Sequence, residues 1–100
     1  MSLRLIVREE AERDILEAIK WYEDHEPGLG KEFLVEVNAS IHLAYQAPLI
    51  HRRLRRQPEV RRILTRRFPY RIFYILSEHA IVVFAILHAF RHDRNWRQRL

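Results

Sequence analysis

The stretch 60–76, V-R-R-I-L-T-R-R-F-P-Y-R-I-F-Y-I-L, constrains the fold more than any other part of the chain. It reads as two strands that meet at a proline. Pro69 has no N–H to give a ladder, so it belongs at a corner between strands or on an exposed edge. Residues 70–76 are rich in β-branched and aromatic side chains, which suit a pleated, half-buried surface. Arg61, Arg62, Arg66, Arg67 and Arg71 are more arginines than a core needs. The strands are therefore expected to form the sheet, and their arginines an anion-facing surface.

The rest of the chain supplies the support. Residues 3–7 read as a short strand, with Leu3, Leu5 and Val7 on one face. A helix is expected from Glu9 to about Glu26, because Ala11, Ile15, Ala18, Ile19 and Tyr22 recur at helical spacing. Glu9, Glu10 and Glu12 crowd its first turn, where they complement the helix dipole. Pro27-Gly28 ends it. A second helix, from Leu29 or Lys31 to Gln46, carries Phe33, Val37, Ile41, Ala44 and Tyr45 on one stripe, and Pro48 closes it. So short a link predicts an antiparallel helical hairpin.

Residues 49–59 show no clean periodicity and read as a basic loop. Strands follow at about 60–66, 70–77 and 80–90. The last is apolar on both faces and so is expected inside the sheet. The tail 93–100 is expected to form a short helix with Asp93 as its N-cap. The order β-αα-βββ predicts a single α+β domain over residues 1–100, with the helical hairpin packed on one face of a mainly antiparallel sheet. It leaves the place of the first strand in the sheet open.

With 48% hydrophobic residues the chain can build a core, and with no cysteine it has no disulfide framework or thiolate metal site. The absence of cysteine suits the cytoplasm. The longest apolar run, 80–87, is far short of the roughly 20 residues that cross a membrane, and the N-terminus does not read as a signal peptide. The net charge of +5 hides an asymmetry: residues 1–50 carry five basic and ten acidic side chains, whereas residues 51–100 carry 13 arginines, no lysine and three acids. A solubilising surface would mix lysine with arginine. Arginine alone presents the planar fork that matches phosphate and carboxylate, so an anionic partner is expected: nucleic acid, a nucleic-acid enzyme or an acidic protein.

Arg91, Arg94, Arg97 and Arg99 follow the last strand beside His88 and His92. Arg61, Arg66 and Arg67 lie on the neighbouring hairpin. Such a patch binds or cleaves a phosphodiester if cations and proton-moving groups converge. Alternatively, the arginines pair with acids of a partner or of the first helix, and His88 is a strand-end histidine. His88 and His92 straddle a strand end with only Asp93 nearby, so no metal is expected. Trp96 either covers the sheet edge or stacks on a base. Leu16 and Trp21 fall off the main apolar face of the first helix, as a protein contact or as the back of a small core. No phosphate loop, carboxylate pair or nucleophile motif is present, and no cofactor is expected.

Taken together, the fragments A-E-R-D-I (11–15) and A-I-K-W-Y (18–22), G-L-G (28–30) with Phe33, V-R-R (60–62), R-R-F-P-Y-R-I (66–72) with Tyr74, and H-A-F-R-H-D (88–93) with Trp96 and Arg99 resemble the ParE/RelE superfamily of toxins in type II toxin–antitoxin pairs, also called plasmid stabilisation proteins. The resemblance covers the chain in order. It implies the same β-αα-βββ fold, growth inhibition by the free protein, and neutralisation by a cognate antitoxin whose C-terminal segment folds over the hairpin and sheet edge. An acidic segment would suit the arginines. ParE-like members poison DNA gyrase; RelE-like members cleave mRNA on the ribosome. The G-L-G turn, the F-P-Y corner and a tail with Trp96 in place of a tyrosine look more like ParE. The ParE-like reading puts target or antitoxin contacts at Leu16, Trp21, Arg66, Arg71, Arg91, Trp96, Arg97 and Arg99. The ribosome-dependent endonuclease remains the alternative, with Arg61, Arg67, His88, Arg91 and His92 as its catalytic candidates. A third reading is an inactive module that only binds antitoxin.

Overall fold

The computed structural model describes residues 3–90 and 93–100. Its elements are β1 (Arg4–Val7), α1 (Glu9–His25), α2 (Leu29–Gln46), β2 (Arg52–Arg56), β3 (Glu59–Leu64), β4 (Tyr70–Leu76), β5 (Ala80–His88) and a 3-10 helix, Asp93–Arg99. The strands form one sheet in the order β1-β5-β4-β3-β2. β1 runs parallel to β5, with Arg4 opposite Ala80, and every other pairing is antiparallel. The α+β architecture is therefore the expected one, with one strand more.

The addition is β2, in the segment read as a basic loop. Its sequence R-R-L-R-R has arginine on both faces, so no alternation marks it as a strand. A bulge between Arg53 and Arg55 breaks the two-residue period further. Leu54 is what holds it: half-buried, it packs against the cluster around Val60 and Phe73. The other boundaries move by a residue or two. β3 starts at Glu59 and stops at Leu64, and β5 stops at His88.

The helical hairpin covers one sheet face. Ala11, Ala18 and Tyr22 of α1 and Phe33, Val37, Ile41 and Ala44 of α2 pack on Ile63, Ile72, Tyr74, Ile81, Val83 and Ile86. The link between the helices depends on two glycines. Gly28 adopts φ +91°, a left-handed conformation that other residues rarely take. At Gly30 a Cβ would lie 2.7 Å from the Ile19 carbonyl oxygen. The Glu23 carboxylate accepts from both amides, at 2.8 and 3.0 Å, and so satisfies N–H groups that open α2.

The opposite sheet face is also covered. Val60, Phe73, Phe84, Ala85, Leu87 and Trp96 form a second buried cluster. The Trp96 ring stacks on Phe73 at 5.8 Å, so the 3-10 helix lies on the sheet face as a lid over β4 and β5. This explains why β5 is apolar on both sides.

A carboxylate ties that lid down. β1 pairs with β5 only as far as Val83. Beyond it, the Ile86 N–H points to α1, where the Asp14 carboxylate accepts it at 2.9 Å. The same carboxylate takes both terminal nitrogens of Arg99. Arg8 donates to the Arg99 carbonyl at 3.3 Å. Asp14 thus joins helix, strand and lid.

Candidate docking groove and the arginine surface

The sequence suggests one guanidinium platform. The structure disperses the described arginines over several places, and two of them, Arg67 and Arg99, are held by acids distant in sequence.

Arg61 points to the helix side of β3 and is nearly buried. It pairs with Glu59 at 2.7 Å and donates to the carbonyls of Leu49 (3.0 Å) and His51 (2.7 Å), clamping the segment before β2. Arg67, at the turn before Pro69, pairs with Glu32 of α2 at 2.6 Å and lies over the Phe68 ring. Glu36 accepts from the Arg67 amide, at 3.1 and 3.2 Å to its two oxygens. The hydrogen bond that Arg67 donates to Glu32 raises the Arg67 pKa above its ordinary value. Arg99 is raised likewise, chiefly by its hydrogen bond to Asp14. Arg71 is half-buried on the second sheet face, opposite Leu64 in register. Arg97 is exposed and stacks on Trp96 at 5.0 Å, and Arg66 is exposed at the turn.

The remaining candidates separate as well. Trp96 is 7% exposed and belongs to the core. Leu16 and Trp21 stand on the outer side of α1, 64% and 45% exposed, with the Trp21 ring stacked on His25 at 3.8 Å. His88 lies against the Tyr70 ring, and its Nδ1 accepts from the Phe90 N–H at 3.2 Å. Arg91 and His92 lie outside the described residues. Among the described residues, no group of three histidines, cysteines or carboxylates is placed to hold a metal, and no helix is long and apolar enough to cross a membrane.

Two features emerge that the sequence reading did not single out. The first is a groove of about 680 Å³ between α2 and the β2–β3 end of the sheet. β2 begins opposite Arg62, so Ile63 and Leu64 run past it and leave that length of β3 without a partner from β2. Its apolar lining comes from Ala39 and Leu43 of α2 and from Ile50, Ile63 and Leu64, with Glu36, Ser40 and His51 among them. Arg52, Arg62 and Arg66 line it too. It continues past Glu36 and Ala39 into a shallower hollow of about 420 Å³ beside Val35, Lys31 and Arg67. Val35, Ala39 and Leu43 are spaced four apart, so they form one exposed stripe along α2. The sequence analysis names only the opposite stripe of this helix, from Phe33 to Tyr45.

His51 sits in the groove wall edge-on to Tyr74. Burial, and behind it the Arg61 guanidinium, push its pKa below the ordinary 6.5. Burial also pushes the Tyr74 phenol up to about 12; its hydroxyl donates to the Pro48 carbonyl at 2.7 Å.

The second feature is β2 itself, whose Arg52, Arg53, Arg55 and Arg56 are all exposed along the sheet edge.

Comparison with known proteins fits this architecture. A solved structure described as "Chromosomal ParDE TA system from P. aeruginosa" superposes with a TM-score of 0.76 at 16% sequence identity, covering 86% of this chain and 95% of that one. No curated protein sequence matches. Residues 5–92 match the family described as "ParE toxin of type II toxin-antitoxin system, parDE". With most of its length matched in this way and a sheet and hairpin of the same design, the chain belongs to the ParE toxin family.

Proposed function

We propose that this protein is a growth-inhibiting toxin that acts by poisoning DNA gyrase and is silenced by a cognate antitoxin seated in the groove beside α2. The groove carries the antitoxin part of the reading. Val35 and Leu43 are 61% and 48% exposed, and Ile50 and Leu64 are 66% and 58% exposed. Single exposed apolar residues are ordinary, but a contiguous set beside an unpartnered length of strand suits an amphipathic segment. Arg52, Arg66 and Arg67 border the groove and its hollow, so acidic side chains on that segment would find partners. Burying the apolar side chains would contribute most of the affinity, and the charges would set orientation and encounter rate.

Gyrase is favoured over mRNA by the state of two of the nuclease candidates, Arg61 and Arg67. Proton transfer needs groups that converge on one reacting atom. Arg61 is engaged by Glu59 and by two carbonyls on the helix side. Arg67 is engaged by Glu32 across the hairpin. A protein that works by occupying a surface of its target needs no such convergence.

Induction of the chain alone, then with its antitoxin, tests both parts. The expected result is growth arrest with double-strand DNA breaks that depend on gyrase, relieved by the antitoxin. Cut ribosome-bound transcripts with intact chromosomes would refute the gyrase target, and unimpaired growth would refute toxicity altogether.

A further inference from the structure

Among the described residues, the least compensated charge lies on the edge strand β2, whose Arg52 also borders the groove. Arg52, Arg53, Arg55 and Arg56 are exposed, and among the described residues no carboxylate pairs with any of them; Arg55 donates only to the Gln57 carbonyl at 3.1 Å. The ladder places Arg52 opposite Arg62 and Arg53 opposite Arg61. Like charges directly across a ladder weaken a sheet, and here two such pairs are consecutive. Arg61 has Glu59 to offset it. In the outer row only Arg56 faces an acid in register, Glu59, and that carboxylate is already paired with Arg61.

We propose that the β2 edge binds the phosphate backbone of duplex DNA. Three observations select this partner. The strand carries arginine on both of its faces, and at about 3.3 Å per residue the four guanidinium groups span roughly 13 Å. β2 is the outermost strand of the sheet, so this row of arginines lies along the sheet edge, where it can run against the phosphates of a duplex. The exposed positions of β2 include no aromatic residue, and stacking aromatics are what single-strand binders use. The bulge at Arg53–Arg55 and the row of charges blunt the edge against an added peptide strand. The contact is with backbone phosphates, so it carries no sequence preference. It does not depend on which target the toxin reading assigns.

The test is fluorescence anisotropy of a labelled 20-base-pair duplex with the purified full chain. Four phosphate contacts predict a log–log salt slope near −3.6, so affinity falls about 150-fold between 50 and 200 mM salt. In R52Q/R53Q/R55Q/R56Q the slope becomes shallower by about 3.6, while the four-lysine variant keeps it. R4Q/R13Q/K20Q removes three charges elsewhere and is expected to bind close to the unaltered chain. Melting temperatures of all the variants confirm that each is folded. The proposal is overturned if the glutamine variant binds within twofold of the unaltered chain, or if the control variant loses as much. Preference for single-stranded DNA or an RNA duplex over the DNA duplex overturns it also.

Discussion

Replacing Asp14 by alanine removes one carboxylate and strands two groups at once. The Ile86 N–H loses its acceptor in a part of β5 that β1 does not reach. An orphaned buried donor costs about 1–3 kcal/mol. Arg99 loses both of its bonds to Asp14. Bonds to charged groups contribute about 1.5–3 kcal/mol, and the lower end applies because the Arg99 side chain is 25% exposed and water can replace part of the loss. Together D14A should destabilise by about 3 kcal/mol. For a chain of this length that is a fall in melting temperature of roughly 12 °C or more. R99A leaves Asp14 still serving Ile86, so its cost is about 1.5 kcal/mol. The two changes share one interaction, and the double variant should be milder than their sum by about 1 kcal/mol. Urea unfolding followed by circular dichroism measures the cycle. Tryptophan fluorescence in a W21F background reports the Trp96 lid separately. Additive effects, or a D14A shift below about 4 °C, would show that the carboxylate does not join helix, strand and lid.

Three further outcomes follow from other parts of the molecule. G30A places a methyl against the Ile19 carbonyl and the Glu23 carboxylate; backbone cannot yield cheaply, so a loss of about 1–3 kcal/mol is expected in the same urea titration. His51 has a pKa in the fold below 6.5, so the unfolded chain binds its proton first; stability from this group is full above pH 6.5 and is lost as pH falls toward the folded pKa. Urea midpoints at pH 7.5, 6.0 and 5.0 should therefore decline, and H51Q should flatten the decline. L43R puts a cation into the apolar groove beside Arg52 and Arg66; calorimetry should show antitoxin binding weakened about tenfold, roughly 1.4 kcal/mol, with the melting temperature unchanged within about 2 °C. Undiminished affinity would remove the groove as the antitoxin seat.

Much of the fold was legible in the sequence because apolar spacing is local. Ala11, Ala18 and Tyr22 mark one helix face, Phe33, Val37 and Ile41 the other, and Pro27-Gly28 separates them. The two-sided apolar pattern of β5 marked an interior strand, and the structure shows what covers each side. β2 was hidden because its stabilising residue is a single leucine between arginines, and its bulge removes even that period. The site was less legible than the fold. Arginine enrichment was plain, but which arginines are free depends on acids 35 and 85 residues away, as with Arg67–Glu32 and Arg99–Asp14. Trp96 gave no local sign of its burial, since its stacking partner Phe73 lies on β4. Arg91 and His92 fall outside the described residues.

The parallel pairing of β1 with β5 bears on how the protein is made. Arg4 finds its neighbour in Ala80, and non-local pairings of that kind are slow to form. During synthesis at roughly 5–20 residues per second, the first strand waits about 4–15 seconds before its partner exists. Throughout that interval its Leu5 and Ile6 edge is open to any other chain. Assembly of the toxin is thus timed by the ribosome, and the sheet is complete only when β5 has returned to β1.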